Sequence, residues 1–211
     1  MINLVIAYDD NDSELGGYFE DSFVHTKDVV DKLDFVTLSS IRGLDCTEAN
    51  INLRVRAVNQ QCFVFASFSH GDSLGECLLT ENDTIFVGIT NVSEFGNSLF
   101  YTTACNAALQ LGKNLIDNDC FCFVGYKDSS WATYEDFYPI YIACENYALN
   151  EFLKTGKTIR QTYDEMQIIF DEQIKNLYDQ DEILVAIEFE HNRDCLVLMG
   201  NEELTANHFH I

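Results

Sequence analysis

The feature that most constrains this chain is a regular alternation of two apolar patterns. Short, nearly continuous runs at 2–8 (INLVIAY), 35–39, 62–69 (CFVFASFS), 98–104, 120–126 (CFCFVGY) and 183–189 (ILVAIEF) are rich in β-branched and aromatic residues. They lack strict in-out alternation, as strands covered on both faces do. Between them, stretches near 18–33, 46–58, 106–116, 137–153 and 158–178 read as helices. In the last, Ile159, Tyr163, Met166, Phe170, Ile174 and Leu177 recur every three or four residues and make one apolar stripe. Gly156 suits a helix stop and Thr158 a helix start. Alternating β and α elements predict a three-layer α/β/α sandwich with a mostly parallel sheet of about six strands.

Residues 75–90 interrupt the rhythm. Gly75–Thr80 and Thr84–Gly88, separated by Glu81-Asn82-Asp83, predict a small hairpin inserted after the third strand. No internal repeat or linker divides the chain, so residues 1–211 are expected to form one domain.

Charge narrows the partners. Twelve Lys and Arg against 35 Asp and Glu leave a formal charge of −23, a surface that repels nucleic acid and anionic membrane. Basic proteins, peptides or divalent cations suit it better. No apolar run reaches the ~20 residues that span a bilayer, and the first residues lack the pattern of a signal peptide. The eight cysteines lie mostly inside apolar runs without a CxxC, which favours free thiols and a cytoplasmic protein.

Ligands of open α/β sheets bind beyond the carboxyl ends of the strands. Those ends read Tyr8-Asp9-Asp10, Ser69-His70-Gly71-Asp72, Thr103-Ala104-Cys105-Asn106 and Gly125-Tyr126-Lys127-Asp128. A His and a Cys thus leave two strands expected to be neighbours. An imidazole beside a thiol takes the thiol proton and later protonates a leaving amine. Gly71 allows close backbone approach, so the Gly71 and Cys105 N–H groups are candidates for an oxyanion hole.

These residues carry a family resemblance. FASFSHGD, an inserted hairpin and then LFYTTACNAA resemble the His-Gly and Ala-Cys pair of the caspase-like (clan CD) cysteine peptidases. SHG followed by an Ala-Cys-Asn sequence is most similar to the CHAT branch. CFCFVGYKDSSW and FLKTGKTIRQTYDEM resemble that branch's later strand, tryptophan loop and helix junction. The likeness spans roughly residues 60–170. Asn106-Ala107-Ala108 departs from the usual Thr-Gly ending, and Thr103 stands where some relatives carry a specificity residue.

The resemblance implies a cysteine endopeptidase that forms a thioester acyl-enzyme, with Cys105 as nucleophile and His70 as general acid/base. It needs no cofactor, although Ca²⁺ activates some relatives. Asp9 or Asp10 could receive a basic P1 side chain, hold Ca²⁺, or sit in a solvated loop. No Lys or Arg occurs between Arg56 and Lys113, which favours a basic substrate. Thr103, Asp128 and Trp131 are further candidates for the substrate cleft, Trp131 equally for a core cap. The branch further implies a separate activator or sensor protein and a role in antiviral defence or programmed death.

His191 and the His208-x-His210 pair have the weakest claim to metal, and no metal site is expected. Lys154, Lys157 and Arg160 form a late basic cluster, a solvated helix end or an acidic partner's docking site. Two rival readings remain: a catalytically inactive caspase-like interaction module, and a receiver-like switch. The second would use Asp9, Asp10, Asp72, Thr103 and Lys127 to hold Mg²⁺ and a phosphoryl group.

Overall fold

The computed structural model describes residues 1–209. Six strands form the main sheet: β1 (Ile2–Tyr8), β2 (Val36–Arg42), β3 (Phe63–Phe68), β7 (Ser98–Thr102), β8 (Cys122–Tyr126) and β9 (Leu196–Gly200). Their order is β2-β1-β3-β7-β8-β9. All pairs are parallel except β8 with β9. The predicted α/β/α sandwich is therefore the observed architecture. Along β1, Ile2, Leu4, Ile6 and Tyr8 face one core while Val5 and Ala7 face the other. That two-sided burial is why the run shows no polar alternation.

Five helices cover one face: α1 (Gly16–Val30), α4 (Tyr138–Glu145), α5 (Tyr147–Lys154), α6 (Ile159–Asp179) and α7 (Ile183–Cys195). The opposite face carries α2 (Glu48–Arg56) and α3 (Leu111–Asp117). Thr158 caps α6 in a capping box with Gln161, and all six stripe residues named for that helix are buried. The inserted hairpin forms from β5 (Leu78–Leu79) and β6 (Ile85–Val87), and β4 (His70–Gly71) pairs with it as a third strand.

Three local readings change. Residues 183–189, expected as a strand, open α7, and the edge strand is supplied by Leu196–Gly200. A seven-residue apolar run does not reveal its own period. Its continuation does, because Val185, Ala186, Phe189, Asn192 and Cys195 are the buried side. Residues 137–153 break at Asn146 into α4 and α5. Finally, α3 starts only at Leu111, because Asn106 takes the left-handed backbone (φ 60°) and turns the chain.

All eight cysteines are free. No described helix is long and apolar enough to cross a membrane. His210 lies outside the described residues.

Candidate active site

The parallel register of β3 and β7 sets the site. Ser67 pairs with Thr102, and three residues further along each chain stand His70 and Cys105. Both leave the same sheet edge from adjacent strands. Their backbones touch: a Cβ added to Gly71 would lie 2.0 Å from the Cys105 carbonyl oxygen. Gly75 is equally constrained, with φ 69° and space that would put a Cβ 2.2 Å from the Asn106 carbonyl. The turn after His70 is thus seated on the turn after Cys105, as close approach of two backbones demands. The Asp72 carboxylate fixes that turn by accepting the N–H groups of Leu74, Glu76 and Cys77.

His70 and Cys105 line one recess of about 40 Å³, together with Phe19, Ser69, Thr103 and Ser130. At Cys105 the Ser130 N–H donates to Sγ at 3.2 Å. The Cys105 thiol is partly exposed, whereas most other cysteines are buried. Burial pushes the Cys120 thiol up to about 11 and that of Cys46 up to about 12, which keeps them inert. His70 packs edge-on against the Phe19 ring, 5.3 Å between centroids.

A third residue completes the arrangement. His70 Nε2 lies 2.6 Å from Asp12 Oδ2, and the Asp12 side chain is only 4% exposed. Asp12 Oδ1 accepts the backbone N–H groups of Glu14 and Leu15. Burial works to raise the Asp12 pKa, but the Leu15 N–H, the His70 ring and the Glu14 N–H outweigh it and hold it below the ordinary aspartate range. The sequence does not single out Asp12: it is one acid among several in Asp9–Glu14, and nothing local tells which carboxylate turns inward.

Glu145 was missed as well. It is buried, lines the recess, and accepts hydrogen bonds from the hydroxyls of Tyr18 and of Tyr126 (2.6 Å). Burial raises its pKa to about 7, against the lowering effect of the two tyrosines. A lone acid inside the apolar stretch YIACENYAL was the available signal. Thr103 lines the same recess with its buried Oγ1 unpaired.

Other candidates fall elsewhere. Asp9 is 1% exposed and accepts the Glu81 N–H at 2.8 Å, bracing the hairpin. Asp10 faces Arg42 at 3.6 Å. Neither borders the recess or the larger cleft of about 610 Å³ beside His70; Asp12, Glu14, Asp72, Glu81 and Asp83 do border that cleft. Asp128 meets the turn after Cys105 through its backbone, its carbonyl accepting the Asn106 N–H at 3.0 Å. Trp131 stacks on His191, 3.9 Å between ring centroids, and is 41% exposed. Its N–H and carbonyl are both held by the Asn192 side chain. Trp131 therefore pins the 127–136 loop to α7 beside the recess.

No known protein family matches this chain, and no curated protein matches it. Among solved structures it is similar to a secreted C11 cysteine protease from Bacteroides thetaiotaomicron, solved with an irreversible peptide inhibitor. The TM-score is 0.45 and the identity 10%, over 71% of this chain and 58% of that one. The chain thus spans little more than half the length of that neighbour, and so distant a likeness carries no weight for function.

Proposed function

We propose that this protein is a cysteine peptidase of caspase-like type in which Cys105 is the nucleophile, His70 the general acid/base and Asp12 the residue that orients the imidazole. One observation carries this reading: His70 and Cys105 stand at equal distances beyond paired residues of adjacent strands and line a single recess, while the far nitrogen of His70 rests on a buried carboxylate. With Nε2 on Asp12, Nδ1 is the nitrogen left to exchange a proton with Sγ. The thiolate attacks the scissile carbonyl, and the carbonyl oxygen takes up negative charge facing the N–H groups of Gly71 and Cys105. His70 then protonates the departing amine; the neutral imidazole next takes a proton from water, whose oxygen attacks the thioester, releasing the acid and restoring the Cys105 thiolate beside the imidazolium. Neither step calls for a cofactor.

For the substrate we infer a basic residue near the cut. The acids Glu14, Asp72, Glu81 and Asp83 around the cleft beside His70 support this, as does the absence of Lys and Arg from residues 57–112. These acids, and not Asp9 or Asp10, would receive that basic side chain, because Asp9 accepts the Glu81 N–H and Asp10 faces Arg42. We further propose regulation by a separate activator, Ca²⁺ dependence, and a part in antiviral defence or programmed cell death.

The receiver-like rival finds no support in this geometry. Asp9 is buried beneath Glu81, Asp10 faces Arg42, and Asp72 is spent on its own loop. The decisive experiment compares the parent with Cys105→Ala and His70→Ala on a peptide library, with and without Ca²⁺ and a co-expressed partner. Loss of cleavage in both variants, with unchanged thermal unfolding, is the expected result. Turnover retained in either would reject the site.

A further inference from the structure

β9 runs antiparallel to β8, with Tyr126 opposite Leu196, so residues just after β8 lie abreast of residues just before β9. The Lys127 N–H accordingly donates to the Cys195 carbonyl at 2.9 Å. Cys195 is the last residue of α7, and His191 lies one turn earlier on the same face. This crossing gathers three side chains of different chemistry. One ligand atom each from Asp128, His191 and Cys195 lies within 4.8 Å of the others.

From this juxtaposition we infer a binding site for a borderline divalent transition-metal ion of the zinc type, held by Asp128, His191 and Cys195. A thiolate, an imidazole and a carboxylate together select zinc-like ions; Ca²⁺ and Mg²⁺ take oxygen alone. Three protein ligands leave a fourth position for water, which is the coordination of an open zinc site. The second observation concerns the imidazole. His191 Nε2 is 2.7 Å from the Ser129 carbonyl, so Nε2–H donates there and Nδ1 keeps its lone pair. A backbone carbonyl on one ring nitrogen is the arrangement that fixes the tautomer of histidines that bind metal through the other. Cys195 Sγ lies 3.9 Å from Nδ1 and 3.7 Å from Nε2; with Nε2–H given to Ser129, Nδ1 is the nitrogen with a lone pair to share an ion with the thiolate. Asp128 is exposed and offers the way in from solvent.

The site also has a position that matters. Ser130, two residues after Asp128, donates its N–H to Cys105 Sγ. An ion joining Asp128 to α7 would fix that loop against the thiol. The site itself stands apart from the peptidase reading, which falls or survives with Cys105 and His70.

The test uses the full chain carrying Cys105→Ala, so that the candidate nucleophile cannot contribute sulfur. Co²⁺ is titrated in a thiol-free buffer while absorbance is followed. One equivalent should produce a thiolate-to-cobalt charge-transfer band that Zn²⁺ bleaches. Cys195→Ser should abolish the band, and Asp128→Ala, at an exposed position and with thermal unfolding followed alongside, should weaken Co²⁺ binding by about tenfold or more. His191→Ala should do the same. No band at one equivalent, a band that survives Cys195→Ser, or undiminished affinity in Asp128→Ala would each overturn the site.

Discussion

Asp12→Asn isolates the contribution of the carboxylate behind His70. The substitution is isosteric, and Asn retains the oxygen that accepts the Glu14 and Leu15 N–H groups, so the local turn survives. What disappears is the negative charge 2.6 Å from His70 Nε2, in a side chain 4% exposed to solvent. A hydrogen bond to a charged group contributes roughly 1.5–3 kcal/mol, and so little exposure leaves water a poor substitute. If the imidazolium formed during the reaction leans on Asp12, its loss lowers the reactivity of Cys105 by roughly ten- to a hundredfold. No substrate is needed to measure this. The rate of iodoacetamide alkylation at neutral pH, with Cys105 located by mass spectrometry, reads the thiolate directly. Thermal unfolding of the same variant reports whether the fold has changed. Alkylation of Cys105 within twofold of the parent rate, in a variant that unfolds normally, would show that the His70–Asp12 contact does not tune the nucleophile.

Three further outcomes are expected. Gly71→Ala forces apart the two turns that carry His70 and Cys105, since its Cβ would lie 2.0 Å from the Cys105 carbonyl; it should cost about 1–3 kcal/mol, lower the unfolding temperature by several degrees, and abolish alkylation selectivity at Cys105. Glu145, raised by burial to about 7 in the folded protein, binds more protons folded than unfolded between about pH 4.5 and 7. Its stabilising effect is therefore complete below its unfolded pKa and lost as pH rises through 7, by about 3 kcal/mol at most; urea unfolding at pH 5 and 7.5 should show a fall in the parent that Glu145→Gln flattens. Asn192→Ala removes both hydrogen bonds to the Trp131 backbone; because Trp131 is the single tryptophan, its emission should shift to the red and its quenching by acrylamide increase, and an unchanged spectrum would show that the loop is held by other contacts.

Much of this molecule was legible in its sequence. The four buried parallel strands β1, β3, β7 and β8 could be read because strands covered on both faces must be apolar throughout, and that pattern needs no partner to be recognised. That His70 and Cys105 stand just beyond the ends of neighbouring strands could be read because each follows directly on an apolar run. The sixth strand could not. Residues 183–189 have a strand's composition, and only the docking of Val185, Phe189 and Cys195 onto the sheet's helical layer makes them α7. Local composition is silent on period when the run is short, and tertiary burial then decides.

The same division runs through the site. The primary structure determined which chemical groups exist and on which strand ends they stand, because both follow from periodicity along the chain. Tertiary structure alone decided which of the acids in Asp9–Glu14 reaches His70, that Glu145 sits beneath the recess, and that Asp128 meets His191 and Cys195. Those contacts join residues 58, 40 and 63 or more positions apart. No local rule encodes which side chain a distant segment will present, because that choice belongs to the packing of whole layers against one another.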